Sequence, residues 1–127
     1  MLLNLNQIGQ IAMPVSNADR SEAFYGEKLG FRKLFRFGNM VYFDCAGVRL
    51  WLDQVPPEQG LHASVLYFRC ADIRLATKEL ETRGVVFTDK PHLVAELDDH
   101  DLWMTFFTDP DDHILALMQE APKGYKP

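Results

Sequence analysis

The order of structural elements repeats along this chain, and that repeat constrains the fold more than any other feature. Alternating apolar residues and helix-capping residues predict the order strand, helix, strand, strand, strand in each half. In the first half these elements span 8–15, 20–28, 31–37, 40–45 and 48–53. In the second half they span 64–70, the helix between Asp72 and Gly84, 85–97, 102–108 and 113–119.

The repeat predicts an α+β fold that consists of two tandem βαβββ modules. We expect a first module over 6–53, a linker over 54–62, a second module over 63–120 and a loose tail over 121–127. The length of 127 residues suits a single domain. Generic alternation of helices and strands, without duplication, is the alternative interpretation.

Composition and net charge indicate which kinds of binding partner the chain is not expected to have. The net charge is −5, and without a basic patch we expect neither a nucleic-acid nor an anionic-membrane partner. No apolar run reaches the length of a membrane span, and Met1 to Asn4 lacks the basic region of a secretory signal. Cys45 and Cys70 lie in predicted strands and are interpreted as free thiols of a cytoplasmic protein.

Strand parity separates two faces of the predicted sheets. In the first and last strands of each module, one face is uniformly apolar, and we expect the helices to cover it. The opposite face mixes polar, aromatic and apolar side chains, which is typical of a ligand-binding surface. That face carries Gln10, Ala12, Arg49, Trp51, Asp53, Val65, Tyr67, Arg69, Ile114, Ala116 and Met118.

Several stretches resemble the vicinal oxygen chelate superfamily, which includes glyoxalases, extradiol dioxygenases and bleomycin resistance proteins. The resemblance rests on 8–17, 23–31, 66–73 and 107–117, with the pair Phe24-Tyr25, the run Leu29-Gly30-Phe31 and the turn Asp109-Pro110-Asp111. It implies that two βαβββ modules form a U-shaped mixed-sheet cleft. It also implies metal ligands on the first and last strand of each module, usually His or Gln, Glu, His and Glu.

Carried over by position, the family's ligand sites fall on Gln10, Trp51, Val65 and Ala116. Only Gln10 has an atom that can coordinate a metal, and zinc or a hard divalent cation needs several oxygen or nitrogen donors. We therefore expect no metal at these four positions. The chain also lacks a Gly-x-Ser-x-Gly motif and a glycine-rich phosphate loop, so no cofactor is predicted.

A second group of polar residues flanks the predicted hairpin turn Asp98-Asp99. His92, Glu96 and His100 could form a displaced metal site, with Glu96 and His100 facing each other across the hairpin. Glu96 and His100 could also act as an acid–base pair, since histidine titrates near neutral pH. The simpler interpretation is a hairpin tip with exposed charges and a cross-strand ion pair.

The mixed face suggests a type of ligand. Trp51 and Tyr67, with Trp103, offer flat surfaces for stacking. The arginines of this face could pair with a carboxylate, although Arg49 could instead pair with Asp53 on its own strand. The predicted binding residues are Gln10, Arg49, Trp51, Tyr67, Arg69, Trp103, Ala116 and Met118.

Three functional hypotheses follow. The first is a metal-free homodimer that binds a small planar aromatic molecule, which can be anionic. The second is a lyase, isomerase or dioxygenase with a relocated metal, or none, near His92, Glu96 and His100. The third is a non-catalytic dimeric interaction module in which Trp51, Tyr67 and Met118 form the interface. One fold hosts many chemistries, so the resemblance alone does not choose among them.

Overall fold

The computed structural model describes residues 3–126. The chain divides into two compact units, and the boundary lies between Ala63 and Ser64. Each unit contains one α-helix and one four-stranded sheet, so the predicted α+β class and the tandem βαβββ order are confirmed. Within residues 3–126, none of the helices has the length and apolar character needed to cross a bilayer.

The first unit follows the βαβββ order with one irregularity in its helix. Its strands are β1 (Gln10–Val15), β2 (Arg32–Phe37), β3 (Met40–Cys45) and β4 (Val48–Gln54). Helix α1 (Ala18–Ala23) continues into a π-helical turn (Phe24–Lys28), and a 3-10 turn (Pro57–Gln59) follows the sheet. The strand order is β1-β4-β3-β2, with β1 parallel to β4 and the other neighbours antiparallel.

The second unit repeats this topology. Its strands are β5 (Leu66–Arg69), β6 (His92–Glu96), β7 (Asp101–Thr108) and β8 (Ile114–Ala121), and its helix is α2 (Ile73–Thr82). The strand order is β5-β8-β7-β6, with β5 parallel to β8. The two central strands of this sheet, β7 and β8, are the strands predicted on either side of the Asp109-Pro110-Asp111 turn.

Both helices begin with the same pair of hydrogen bonds. Asn17 Oδ1 accepts from the Arg20 amide at 3.0 Å, which is a standard N-cap contact, and it explains why α1 begins before the predicted residue 20. Gln54 Oε1 accepts from the Ala18 amide at 2.8 Å. The last strand of the unit therefore holds the start of its helix against the sheet.

In the second unit, Asp72 Oδ1 accepts from the Leu75 amide at 3.1 Å, and Gln119 Oε1 accepts from the Ile73 amide at 2.8 Å. These N–H groups have no partner inside the helix. Each βαβββ unit thus uses a capping side chain before the helix and a glutamine from its last strand.

The predicted division between an apolar face and a mixed face is confirmed by burial. Many strand side chains on the face that packs under the helices are at most 6% exposed. They are Met13, Val15, Val41, Phe43, Leu50, Leu52, Thr105, Phe107, Leu115 and Leu117. The neighbouring positions on these strands face the other way, and they carry the candidate functional residues.

The predicted strand over 85–97 is shorter in the structure, where β6 begins at His92. Pro91 has no amide hydrogen to donate to a sheet. Before it, Asp89 Oδ1 accepts from the Phe106 amide at 2.9 Å, so a side chain replaces a strand partner. Phe87 forms only an isolated bridge with Phe107.

The expectation of a loose tail from residue 121 was wrong for the described residues. Ala121 is the last residue of β8, and Lys123 Nζ donates to Asp101 Oδ1 at 2.8 Å and to the Leu97 carbonyl at 2.9 Å. The Gly124 amide donates to Asp101 Oδ2 at 3.0 Å. The Lys123 contact lowers the pKa of Asp101, because it stabilises the charged carboxylate.

Candidate functional site

Three aromatic rings cross the open face of the first sheet, and we call Phe35, Tyr42 and Trp51 the first aromatic row. Tyr42 pairs with Trp51 on one side and with Phe35 on the other, so the three side chains share one face. The Tyr42 and Trp51 rings are nearly parallel at 9°, with centroids 5.8 Å apart. The centroid of the Phe35 ring lies 4.5 Å from that of Tyr42, and the two rings are tilted by 34°. The row therefore forms a contiguous group of aromatic rings across three strands.

A positive charge lies beside the first aromatic row. The Arg49 guanidinium carbon is 5.7 Å from the Phe35 ring centroid and 5.9 Å from that of Tyr42. Within residues 3–126, Arg49 forms no ion pair with Asp53, so the predicted intrastrand pair is not observed. Arg49 thus contacts rings and remains available for an anionic partner.

The far end of the first aromatic row carries small and polar side chains. Trp51 pairs with Ala12, and Gln10 pairs with Arg49, so Ala12 and Gln10 share the open face of β1. Both are exposed, and Trp51 is half-buried beside the small side chain of Ala12. The Trp51 indole N–H is buried and has no hydrogen-bond partner in the part of the chain that the structure describes.

The open face of the second sheet carries its own line of rings, and we call Tyr67, Phe106 and His92 the second aromatic row. The Tyr67 and Phe106 centroids are 6.0 Å apart at 79°, and those of Phe106 and His92 are 6.4 Å apart at 27°. In register, Ala116 lies between Tyr67 and Phe106. It is 0% exposed, so its side chain is covered by its neighbours in this structure.

Arg69 and Met118 are cross-strand partners on the same open face. Arg69 Nη2 is 3.0 Å from Glu120 Oε1, so its charge already has a partner on β8. Met118 is partly exposed between Arg69 and Met104, and it supplies an apolar surface. Of the two predicted arginines, Arg49 is the better candidate for binding an anion.

Trp103 does not belong to either row. It pairs with Leu93 and Gln119, and Gln119 bonds the start of α2, so Trp103 lies on the helix-covered face of the sheet. Its ring is nearly perpendicular to the Tyr125 ring, and the two ring centroids are 6.2 Å apart. Strand alternation therefore places Trp103 on the opposite face of the sheet from Tyr67.

The predicted cluster at the hairpin is not assembled. Asp98-Asp99 forms the turn as expected, but Glu96 pairs with Asp101, and His100 Nδ1 is 2.8 Å from Asp99 Oδ1. The pairing with His100 lowers the pKa of the Asp99 carboxyl. Glu96 and His100 therefore do not face each other as predicted.

A register shift between Leu93 and Ala95 explains the separation of His92 from Glu96. The shift places His92 with Met104 on the open face and Glu96 with Asp101 on the other face. Within residues 3–126 there is no group of three His, Cys, Asp or Glu residues that could hold a metal ion.

The four positions implied by the family resemblance do not fit a metal either. Trp51 stacks on Tyr42, Val65 is an exposed hydrocarbon, and Ala116 is fully covered. Gln10 alone has an oxygen to offer, and one amide is not a coordination sphere. The donor set at these positions therefore does not suit the metal that the family resemblance implies.

Sequence reasoning missed several residues of the two rows. Phe35, Tyr42 and Phe106 lie on the second or third strand of their module in chain order. The prediction compared alternating side chains only in the first and last strands, so it did not include these residues. Alternation in 40–45 and 102–108 would have placed Tyr42 and Phe106 on the open faces. Phe35 could not be placed this way, since a register shift follows Lys33 in β2.

Solved structures of the same fold come from several bacteria. TnmS3, an antibiotic binding protein from Streptomyces sp. CB03234, has a TM-score of 0.75 and 23% identity, covering 94% of this chain and 100% of that chain. A lactoylglutathione lyase from Agrobacterium tumefaciens has a TM-score of 0.74 and 15% identity, covering 97% and 100%.

A glyoxalase/bleomycin resistance protein/dioxygenase from Alicyclobacillus acidocaldarius has a TM-score of 0.72 and 20% identity, covering 94% of this chain and 95% of that chain. No curated protein sequence matches the chain significantly. The sequence model of one family, however, matches residues 7–117, which cover both βαβββ units except for the end of β8. The chain therefore belongs to the glyoxalase/bleomycin resistance protein/dioxygenase superfamily.

Proposed function

We propose that this protein binds a small planar aromatic molecule, and that the first aromatic row with Arg49 forms the binding surface. The observation that carries the proposal is the stack of Trp51, Tyr42 and Phe35 on an open sheet face, with a guanidinium 5.7 Å from Phe35. Flat rings bind flat ligands, and Arg49 favours those that carry a carboxylate or another anionic group.

The chemistry of this surface supports binding rather than catalysis. Trp51, Tyr42, Phe35 and Arg49 provide stacking and one positive charge, and these interactions hold a ligand without transferring a proton or forming a covalent bond. TnmS3, which shares the fold at 23% identity, is described as an antibiotic binding protein. We propose a similar role for this chain in the cytoplasm, as a homodimer without a metal at the four family positions.

The expected affinity is modest. An aromatic contact contributes about 0.5–1.5 kcal/mol beyond the area that it buries, and an exposed ion pair contributes about 0–1 kcal/mol. A dissociation constant of 1 mM corresponds to about 4 kcal/mol. For a simple one-ring probe, we therefore expect half-saturation at roughly 0.1–1 mM.

Tryptophan fluorescence can test the proposal, because Trp51 and Trp103 are the chain's two tryptophans. In a Trp103→Phe variant, 4-nitrobenzoate should quench the remaining Trp51 emission with saturation. In a Trp51→Phe variant, the same probe should give no saturable quenching of Trp103. Saturation in the second variant alone, or in neither, would contradict the proposal.

The role of Arg49 can be separated from stacking with a matched pair of probes. Arg49→Met should weaken binding of 4-nitrobenzoate roughly two- to fivefold, because the ion pair is lost. It should leave binding of the neutral 4-nitrobenzamide almost unchanged. Arg69→Met is the control variant, since Arg69 is already paired with Glu120 and lies on the second sheet.

An interaction module is the second candidate function, and the exposure of Phe37 favours it. This side chain is 63% exposed and lies 5.3 Å from Phe35, so it extends the first aromatic row with apolar surface. If the row is an interface, Phe37→Ser and Trp51→Ala should both dissociate a dimer in sedimentation velocity experiments. If it binds a ligand, Trp51→Ala should abolish the binding of 4-nitrobenzoate, measured by equilibrium dialysis, without changing the oligomeric state.

A further inference from the structure

His92 has a defined tautomer in its neutral form. Its Nδ1 atom lies 2.8 Å from the carbonyl oxygen of Lys90. A carbonyl oxygen only accepts hydrogen bonds, so the proton of the neutral ring is on Nδ1. The other nitrogen, Nε2, therefore carries a lone pair and can accept a hydrogen bond.

The surroundings of His92 fix the direction of its ring. The imidazole stacks on Phe106 at 27°, and Nδ1 lies 3.8 Å from Asp89 Oδ2. Asp89 is itself held, because its Oδ1 atom accepts from the Thr105 hydroxyl at 2.8 Å and from the Phe106 amide at 2.9 Å. The acceptor is thus pre-oriented by a supporting carboxylate.

The His92 side chain is 47% exposed, and within residues 3–126 its Nε2 atom has no hydrogen-bond partner. It lies at the end of the second aromatic row, where the imidazole is stacked on Phe106 and the Phe106 ring meets Tyr67 edge to face at 79°. A ligand ring that packs against Phe106 lies next to the imidazole, which carries the acceptor. No other residue of the row is held by a backbone carbonyl in this way.

We propose that the second aromatic row is a site for hydroxylated aromatic rings, in which the ligand's O–H group donates a hydrogen bond to His92 Nε2. This inference rests on the proposed function, since it names the ligand class that such a protein selects. The interaction is non-covalent, and the hydroxyl keeps its proton. A methoxy group in its place cannot donate, so it should be rejected relative to the hydroxyl.

Two neutral probes differ in that group, 4-methylphenol and 4-methoxytoluene, and only the phenol has an O–H group to donate. Titrations of the intact chain at pH 7.5, followed by long-range 1H–15N NMR of the imidazole nitrogens, report on His92 directly. We expect the hydroxyl probe to bind three- to tenfold more tightly, which is the range for one hydrogen bond. It should also shift the Nε2 signal of His92 upon binding.

The variant His92→Phe keeps a flat ring beside Phe106 but has no acceptor. It should bind both probes with the affinity of the methoxy compound. The control variant His62→Phe, at an exposed loop position of the first unit, should keep the wild-type preference. A fold check by circular dichroism accompanies each variant, and His92→Gln, which retains a hydrogen-bonding group, should restore part of the preference.

Two results would overturn the inference. One is equal binding of the two probes by the wild type, or no binding of either. The other is a hydroxyl preference that survives in His92→Phe. The proposed function is tested separately by quenching of Trp51 with 4-nitrobenzoate, so it can stand when this inference fails.

Discussion

The two units share a backbone plan but differ at corresponding positions of the open face. In the first sheet the pair across the parallel strands is Ala12 with Trp51, and in the second sheet it is Tyr67 with Ala116. The large and the small side chain have exchanged strands. Trp51 therefore keeps an exposed neighbour of minimal size, whereas Ala116 is fully covered. A repeated fold can thus produce two chemically different surfaces without any change in strand order.

The polar groups beside the rings differ in the same way. Arg49 gives the first aromatic row a positive charge that lies over the Phe35 and Tyr42 rings. In the second sheet Arg69 is paired with Glu120, and the distinctive group is His92, which is a hydrogen-bond acceptor. The comparison suggests that the first surface favours anions and the second favours hydroxyl donors.

The largest expected effect comes from testing the difference in burial between Ala116 and Ala12. Ala116→Trp should destabilise the protein by about 3 kcal/mol, because a fully covered position has no room for an indole. Ala12→Trp should change the free energy of unfolding by less than about 0.5 kcal/mol, since Ala12 is exposed. Chemical denaturation measures both variants. Equal effects would contradict the assignment of burial.

The next effect compares the two glutamines that hold the helix starts. Gln119→Met should cost about 2 kcal/mol, because it leaves the buried Ile73 amide without a partner. Gln54→Met should cost about 1 kcal/mol, since the Ala18 amide is only partly buried and can be reached by water. The same denaturation experiment applies. A larger loss for Gln54→Met would show that burial does not set the order.

The smallest effect concerns the acid sensitivity of the tail. Because the folded pKa of Asp101 is lowered, its contribution to stability is present above the ordinary aspartate pKa of about 3.9 and is lost as the pH falls through the folded pKa. Asp101→Asn should therefore lose stability at pH 7 and less at pH 3. Asp98→Asn, in the hairpin turn, is the matched control. Equal losses at both pH values would contradict this account.

The fold could be predicted largely from the sequence, because strand parity, Asn17, Asp72, Gly30 and Gly84 carry local signals. The site could be predicted only in part. Register shifts in β2 and β6 change which residues share a face of the sheet. No local sequence pattern predicts these shifts. The predicted facing of Glu96 and His100 failed for this reason, since Glu96 pairs with Asp101.

Long-range contacts were the other source of error. The glutamine oxygens that bond the helix starts join residues 36 and 46 positions apart. Asp101 holds a tail more than 20 positions away, with Lys123 and Gly124 as its partners. Local patterns cannot reveal such pairs, because each partner also reads as an ordinary surface residue.

The most direct test of the central claim is a titration of the wild-type protein with 4-nitrobenzoate, followed by the two indole N–H signals in a 1H–15N spectrum. Trp51 lies in the first aromatic row and Trp103 lies on the helix-covered face of the other sheet. We predict a saturable shift of the Trp51 signal and a stationary Trp103 signal. A shift of Trp103 alone, or of neither signal at millimolar probe, would contradict the claim that this sheet face binds planar aromatic molecules.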